Sequence, residues 1–126
     1  IKLEKSWRKI ESDFFKAIES YKRKKLLNKY QCHISRFGPE GKYRRPNFLF
    51  VRLRTKKDEK RVLETIGHEV LHLLFADFLE SKKASYSERE GIIDALILQS
   101  GLKKLFPHYE IQSISKVNQK WLKEIL

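Results

Sequence analysis

The chain has 126 residues, 28 Lys plus Arg against 16 Asp plus Glu, a formal charge of +12, 40% hydrophobic residues and one cysteine. That length suits a single domain with its own core, and a lone Cys32 excludes a disulfide framework or a four-cysteine zinc ribbon. No apolar run approaches the ~18 residues of a membrane span, and the charged amphipathic start is not the apolar core of a signal peptide; the expectation is a reducing, cytoplasmic setting with no membrane partner.

The charge is uneven. Residues 1–60 carry 19 − 7 = +12, and residues 61–126 carry 9 − 9 = 0. A pI near 9.9 suggests nucleic-acid binding, because clustered cations release counterions from phosphates. A thermophile-like composition, rich in charge, is the blander explanation.

In chain order, Leu3, Trp7, Ile10, Phe14, Ile18 and Tyr21 recur at three- and four-residue steps, which predicts an amphipathic helix from residue 1 to about 29. Lys22, Arg23, Lys24 and Lys25 would then sit at the negative pole of its dipole, or alternatively bind phosphate. Residues 30–37 read as a short strand before a turn marked by Gly38, Pro39 and Gly41. Residues 47–54 form the clearest strand, with Leu49, Val51 and Leu53 on one face and Phe48, Phe50 and Arg52 on the other. Arg44, Arg45, Arg52, Arg54 and Lys56 crowd it, and charge guards strand edges against aggregation, so an edge position is expected.

Thr55 can cap the next helix, with Asp58 and Glu59 in its first turn. That helix is expected to reach about residue 80, with Val62, Ile66, Val70, Leu73, Leu74 and Phe78 on its apolar face. A third helix is expected over about 87–105, its core residues Ile92, Ile93, Leu96 and Ile97, ended by Pro107. Ser113 or Ser115 would open a final helix carrying Ile114, Val117, Trp121, Leu122 and Ile125. The fold class is α+β: a backing helix, a small twisted sheet and three further helices in one domain over residues 1–126.

The second long helix contains His68, Glu69 and His72 as HExxH. Positions i and i+4 share a helix face, so both imidazoles can reach one zinc ion, while Glu69, rotated by about 100°, stands beside the metal as a general base for its water. A catalytic zinc needs a third protein ligand and an open fourth position. Glu90 and Asp94, again four apart, can supply that ligand and an acceptor for the free ring N–H of a ligating histidine. Glu90 also fits a capping box with Ser87, but Ser85 with Glu88 fits one too, which would leave Glu90 for the metal.

His68, Glu69 and His72, followed by Glu90 and Asp94 on a separate helix, resemble the gluzincin metallopeptidases, and the order of elements along the whole chain is similar to the minigluzincins. The resemblance implies a zinc-dependent endopeptidase with one catalytic Zn2+, His68, His72 and Glu90 as ligands and Glu69 as base, acting on a peptide or protein substrate. It also implies that strand 47–54 is the rim along which an extended peptide lies. Tyr86, His108 and Tyr109 are the candidates for steadying an oxyanion. The basic strand region suggests acidic substrate stretches.

An edge strand and the apolar residues Trp121, Leu122 and Ile125 together suggest a homo-oligomer whose self-association restrains activity. The alternative function is a basic nucleic-acid-binding domain with a structural zinc closed by Cys32 or His33. That alternative explains the basic half but leaves HExxH and the Glu90/Asp94 pair idle, and no helix-turn-helix, zinc-finger or RNA-recognition signature is present, so nucleic acid is the less favoured partner.

Overall fold

In the computed structural model, which describes residues 2–111 and 117–126, the strand and helix periodicities of the middle of the chain meet as a small sheet packed on one long helix. The elements are α1 (Leu3–Ala17), β1 (Gln31–Ser35), β2 (Gly41–Arg44), β3 (Phe48–Arg52), α2 (Lys56–Ser81), α3 (Tyr86–Leu98), a 3-10 turn (Gly101–Lys104) and α4 (Gln119–Ile125). The class is α+β, as expected. Among the described residues, no helix is long and apolar enough to cross a membrane.

The strand order is β1-β3-β2. β3 runs parallel to β1, with His33 beside Phe50, and antiparallel to β2, with Tyr43 beside Leu49. Its alternation is as read: Leu49 and Val51 are buried and Phe48, Phe50 and Arg52 are only half-buried. Its position is not. β3 is the central strand, and the strand at 47–54 is therefore neither an edge nor a free rim. The charge that suggested an edge is used otherwise, since Arg52 turns its guanidinium to Asp58. The edge guarded by cations is β2, which carries Lys42 and Arg44.

α2 is the central helix, with 16 of its 26 residues buried, so it must carry core contacts on nearly every side. It packs on β2 and β3, on α3 and on α1. A Cβ on Gly67 would come within 3.0 Å of the Phe106 ring and 3.2 Å of Phe14, so glycine there lets the two aromatic rings close on the helix.

Two helices are shorter than their periodicity suggests. α1 stops at Ala17, and the chain turns through Arg23 at φ 72° while Lys24 Nζ donates to the carbonyls of Glu19 and Tyr21. Ile18 and Tyr21 stay buried beyond the helix end, which is why the apolar spacing runs on. α3 stops at Leu98, and Ser100 opens the 3-10 turn by accepting from the Leu102 N–H; Leu102 and Phe106 remain in the core.

Asn118 caps α4 through the Trp121 N–H, while Ser113, Ser115 and Ile114 lie outside the described residues. Leu122 and Ile125 are buried and Trp121 packs against the same core. With β3 central, the open strand edges are those of β1 and β2, and Leu122 and Ile125 of α4 lie within the core.

Asp58 joins sheet to helix. It accepts from Arg52 Nε and Nη2, each at 3.0 Å, and from the N–H groups of Arg54 and Thr55, while its own N–H donates to Thr55 Oγ1. The Arg52 guanidinium holds the Asp58 carboxyl well below the usual carboxylate range. A depressed native pKa stabilises the fold above the unfolded value of about 4, and that contribution is lost as the pH falls below it. Asp58→Asn is therefore expected to flatten the fall of melting temperature with acidification below about pH 4. At neutral pH it should destabilise more than Thr55→Ala, whose lost cap costs ~1 kcal/mol; thermal melts across pH check both.

Candidate metal centre

His68 and His72 lie one turn apart on α2, both 2% exposed, and face α3. The start of α3 decides what they meet. Ser85 and Glu88 form the capping box, Ser85 N–H to Glu88 Oε1 at 2.9 Å and Glu88 N–H to Ser85 Oγ at 3.2 Å, which leaves Glu90 uncommitted on the buried side. Glu90 Oε2 is 2.9 Å from His68 Nε2 and 3.3 Å from His72 Nε2, and the two nitrogens are 3.2 Å apart. Ligands at ~2.0–2.2 Å from a tetrahedral zinc are separated by about 3.3 Å, so these three atoms outline one face of such a shell.

The hydrogen bonds behind His68 fix its tautomer. Tyr109 Oη donates to Asp94 Oδ1 at 2.5 Å, because an ionised carboxylate can only accept. The Tyr109 oxygen, 2.6 Å from His68 Nδ1, then accepts from that ring N–H, and Nε2 is left with a lone pair toward Glu90 and His72. Asp94 thus supports His68, but through Tyr109: its direct separation from Nδ1 is 3.8 Å. Tyr109 is correspondingly a buried relay and not a donor to an oxyanion.

Burial works against a charged His68, but Glu90, with Glu69 and Asp94, outweighs it and raises the pKa. Burial lowers His72, which Glu90 only partly offsets. Burial would raise Glu90, yet a proton carried on the facing Nε2 of either histidine, with the charge it brings, holds it well below the usual carboxylate range. The space between the three atoms therefore calls for positive charge, a shared proton or a metal ion. Two imidazoles and a carboxylate are a donor set that zinc accepts.

Glu69 has a ligand-capable oxygen within 4.8 Å of the histidine pair, but Glu90 contacts both imidazoles directly, so Glu90 fits the third ligand and Glu69 stands beside it. Burial pushes the Glu69 carboxyl up to about 7. Its Oε2 packs against β2: a Cβ on Gly41 would lie 2.8 Å from it and 2.5 Å from Thr65 Cγ2. Tyr43, two residues on, stacks on the His72 ring at 4.6 Å between centroids and 12° between planes. Sequence reading missed Gly41 and Tyr43 as site residues, since only strand pairing brings them to α2.

Beyond Tyr43 and His72 a cavity of about 500 Å³ continues, lined also by Arg45, Ala84, Lys83 and Arg89. Tyr86 is 66% exposed, and its hydroxyl is raised in pKa by the charge of Glu90, with burial and Glu69 adding, which puts it at the mouth of the site. His108 is exposed on the turn after Pro107, and no described contact brings it to the histidines.

Arg61 holds two walls of the site to α2. Its guanidinium pairs with Glu64 at 2.9 Å, with Glu40 at 3.1 Å and with Glu110 at 3.3 Å, the last two being the neighbours of Gly41 and Tyr109.

A larger cavity, about 1050 Å³, lies elsewhere among the described residues, between α1 and the β1 edge, and is lined by Trp7, Tyr30, Cys32, Leu49, Ile66 and Val70. Ile66 and Val70 occupy the opposite side of α2 from His68 and His72. Cys32 lines this groove, on the side of α2 away from the histidines, and burial there raises its thiol to about 11, while His33 stacks on Phe48 and Phe50 across the sheet. Neither residue closes a shell with the histidines. Comparison with protein-family models, with curated proteins and with solved structures finds no match to this chain.

The centre is expected to take up about one Zn2+ per chain, measured by elemental analysis after dialysis. His68→Ala and His72→Ala should abolish retention, and Tyr109→Phe, which breaks the relay to Asp94, should weaken zinc affinity about 10- to 100-fold by titration against a competing chelator.

Proposed function

We propose that the chain is a zinc-dependent endopeptidase acting on extended polypeptide segments. The observation that carries the reading is the convergence of His68, His72 and Glu90 on one point with the Glu69 carboxylate beside it and a strand edge alongside. When bound, zinc would supply Lewis acidity toward a carbonyl oxygen and a water of lowered pKa. Glu69, with a pKa near 7, is a base strong enough to take the proton of the attacking water at neutral pH, and it returns that proton to the departing amine.

β2 takes the place of strand 47–54 as the rim. It is paired with β3 on one side only, and its Gly41 end touches Glu69. A peptide added to its open side would be held by main-chain hydrogen bonds, with its scissile bond carried past the base. Glycine at 41 is what permits that approach. In the wall of the cavity beside His72, Arg45 is already paired with Glu80 and Asp77, which leaves Lys83 and Arg89 to favour an acidic side chain next to the cleaved bond. Of the three candidates for the oxyanion, Tyr86 is the one whose hydroxyl lies near both carboxylates at the open side.

Proteolysis of an unstructured protein, followed on gels and by mass spectrometry, tests the reading. Glu69→Gln should retain zinc and lose cleavage by at least about 100-fold. If zinc-loaded wild type cleaves no unstructured substrate over a broad pH range, the reading fails. Gly41→Val should also keep zinc while losing activity, because the added carbons displace the base. Tyr86→Phe is expected to lower kcat by about 100-fold or more with little change in KM, the signature of a donor used in the transition state.

A further inference from the structure

The outer face of the sheet takes no part in the metal centre, and we propose that it binds single-stranded nucleic acid. Eight strand residues point to that side: Gln31, His33, Ser35, Lys42, Arg44, Phe48, Phe50 and Arg52. None is acidic. Arg52 is committed to Asp58, but among the described ion pairs neither Lys42 nor Arg44 has an acidic partner. Both cations instead lie over aromatic rings: Arg44 Cζ is 4.9 Å from the Phe48 centroid and 5.5 Å from Phe50, and Lys42 Nζ is 5.2 Å from Phe50. The exposed His33 ring stacks on the same two phenylalanines, at 5.7 Å and 25° for Phe48 and 5.2 Å and 22° for Phe50.

The result is a layer of flat, exposed π surfaces, an imidazole and a guanidinium, backed by two phenyl rings and set among unpaired cations. Arg36 and Arg54, exposed just after β1 and β3, extend the charge, and the first 60 residues hold the whole +12 surplus. Each part selects the partner. Cations alone would serve any polyanion, including an acidic peptide or a duplex. Stacking planes between them add nothing for a duplex, whose bases are already stacked inside, but they hold the splayed bases of a single strand on aromatic rings and guanidinium planes. Gln31 and Ser35 on β1 add hydrogen-bonding groups at the margin of the layer. No motif announces this surface, because its residues come from three strands whose order is not their order in sequence.

The test is fluorescence anisotropy of the full zinc-loaded chain with a labelled uridine oligomer of about 12 nucleotides, within the site sizes such surfaces span. The single strand should bind more tightly than an RNA duplex of equal length at equal salt. Lys42→Gln with Arg44→Gln should reduce the slope of log affinity against log salt by about 1.4, or about 0.7 per cation, whereas Lys5→Gln with Lys9→Gln on α1 should leave it unchanged. Phe48→Ala with Phe50→Ala should weaken binding about tenfold or more at unchanged slope. Should that pair unfold, as circular dichroism would reveal, the cation pair and the duplex comparison still decide. Equal or tighter duplex binding, an equal effect of the α1 substitutions, or competition by polyglutamate as effective as by the oligomer would overturn the proposal. Glu69→Gln should bind the oligomer as wild type does, so the outcome is independent of the peptidase reading.

Discussion

Three carboxylates, Glu69, Glu90 and Asp94, are buried together beside two imidazoles, apart from the buried Asp58 and Glu64 that pair with arginines, and the helical half of the fold is arranged around compensating them. An isolated buried carboxylate costs several kcal/mol, so each needs an assigned partner. Glu90 has the two histidines, and Asp94 has the Tyr109 hydroxyl and, through it, His68. Glu69 has less, and its pKa rises accordingly. The group left most basic by burial is also the one that stands free beside the point where the ligand atoms meet.

The same economy explains the division of charge along the chain. Asp58, Glu64, Glu69, Glu90 and Asp94 are drawn inward on α2 and α3, where all but the less compensated Glu69 are matched with guanidinium, imidazole or phenol. The cations of the first sixty residues stay outside, on the sheet and on α1. The sheet is therefore two-sided in a strict sense: Leu49 and Val51 join the core, Gly41 and Tyr43 touch Glu69 and His72, and the opposite face presents cations over rings.

Much of the centre was legible from local geometry. HExxH on a helix needs only the i, i+4 relation, and Glu90 with Asp94 needs only the same relation on the next helix. The rival capping boxes at Ser85 and Ser87 differ by two residues, and the choice between them, which frees Glu90, was visible as an alternative. What could not be read depends on contacts distant in sequence. Tyr109 stood out as a phenol near the end of the chain, but its place between His68 and Asp94 depends on how the segment after the 3-10 turn returns to α2. Strand composition identified β3 without its central position, since pairing order is not written in one strand's residues. The ends of α1 and α3 were overrun because Tyr21, Leu102 and Phe106 keep the helical spacing of burial after the helical backbone has stopped.

Arg61 is remote from the ligand atoms, yet it ties Glu40 and Glu110 to the same turn of α2. One of these segments leads into the glycine that sets how close the Glu69 carboxylate stands, and the other follows the phenol that sets which histidine nitrogen carries the proton. A single guanidinium thus makes the spacing of one wall and the tautomer of the other a shared mechanical property. Drift in either loop is transmitted to the other through one side chain, and the two halves of the centre loosen or hold together.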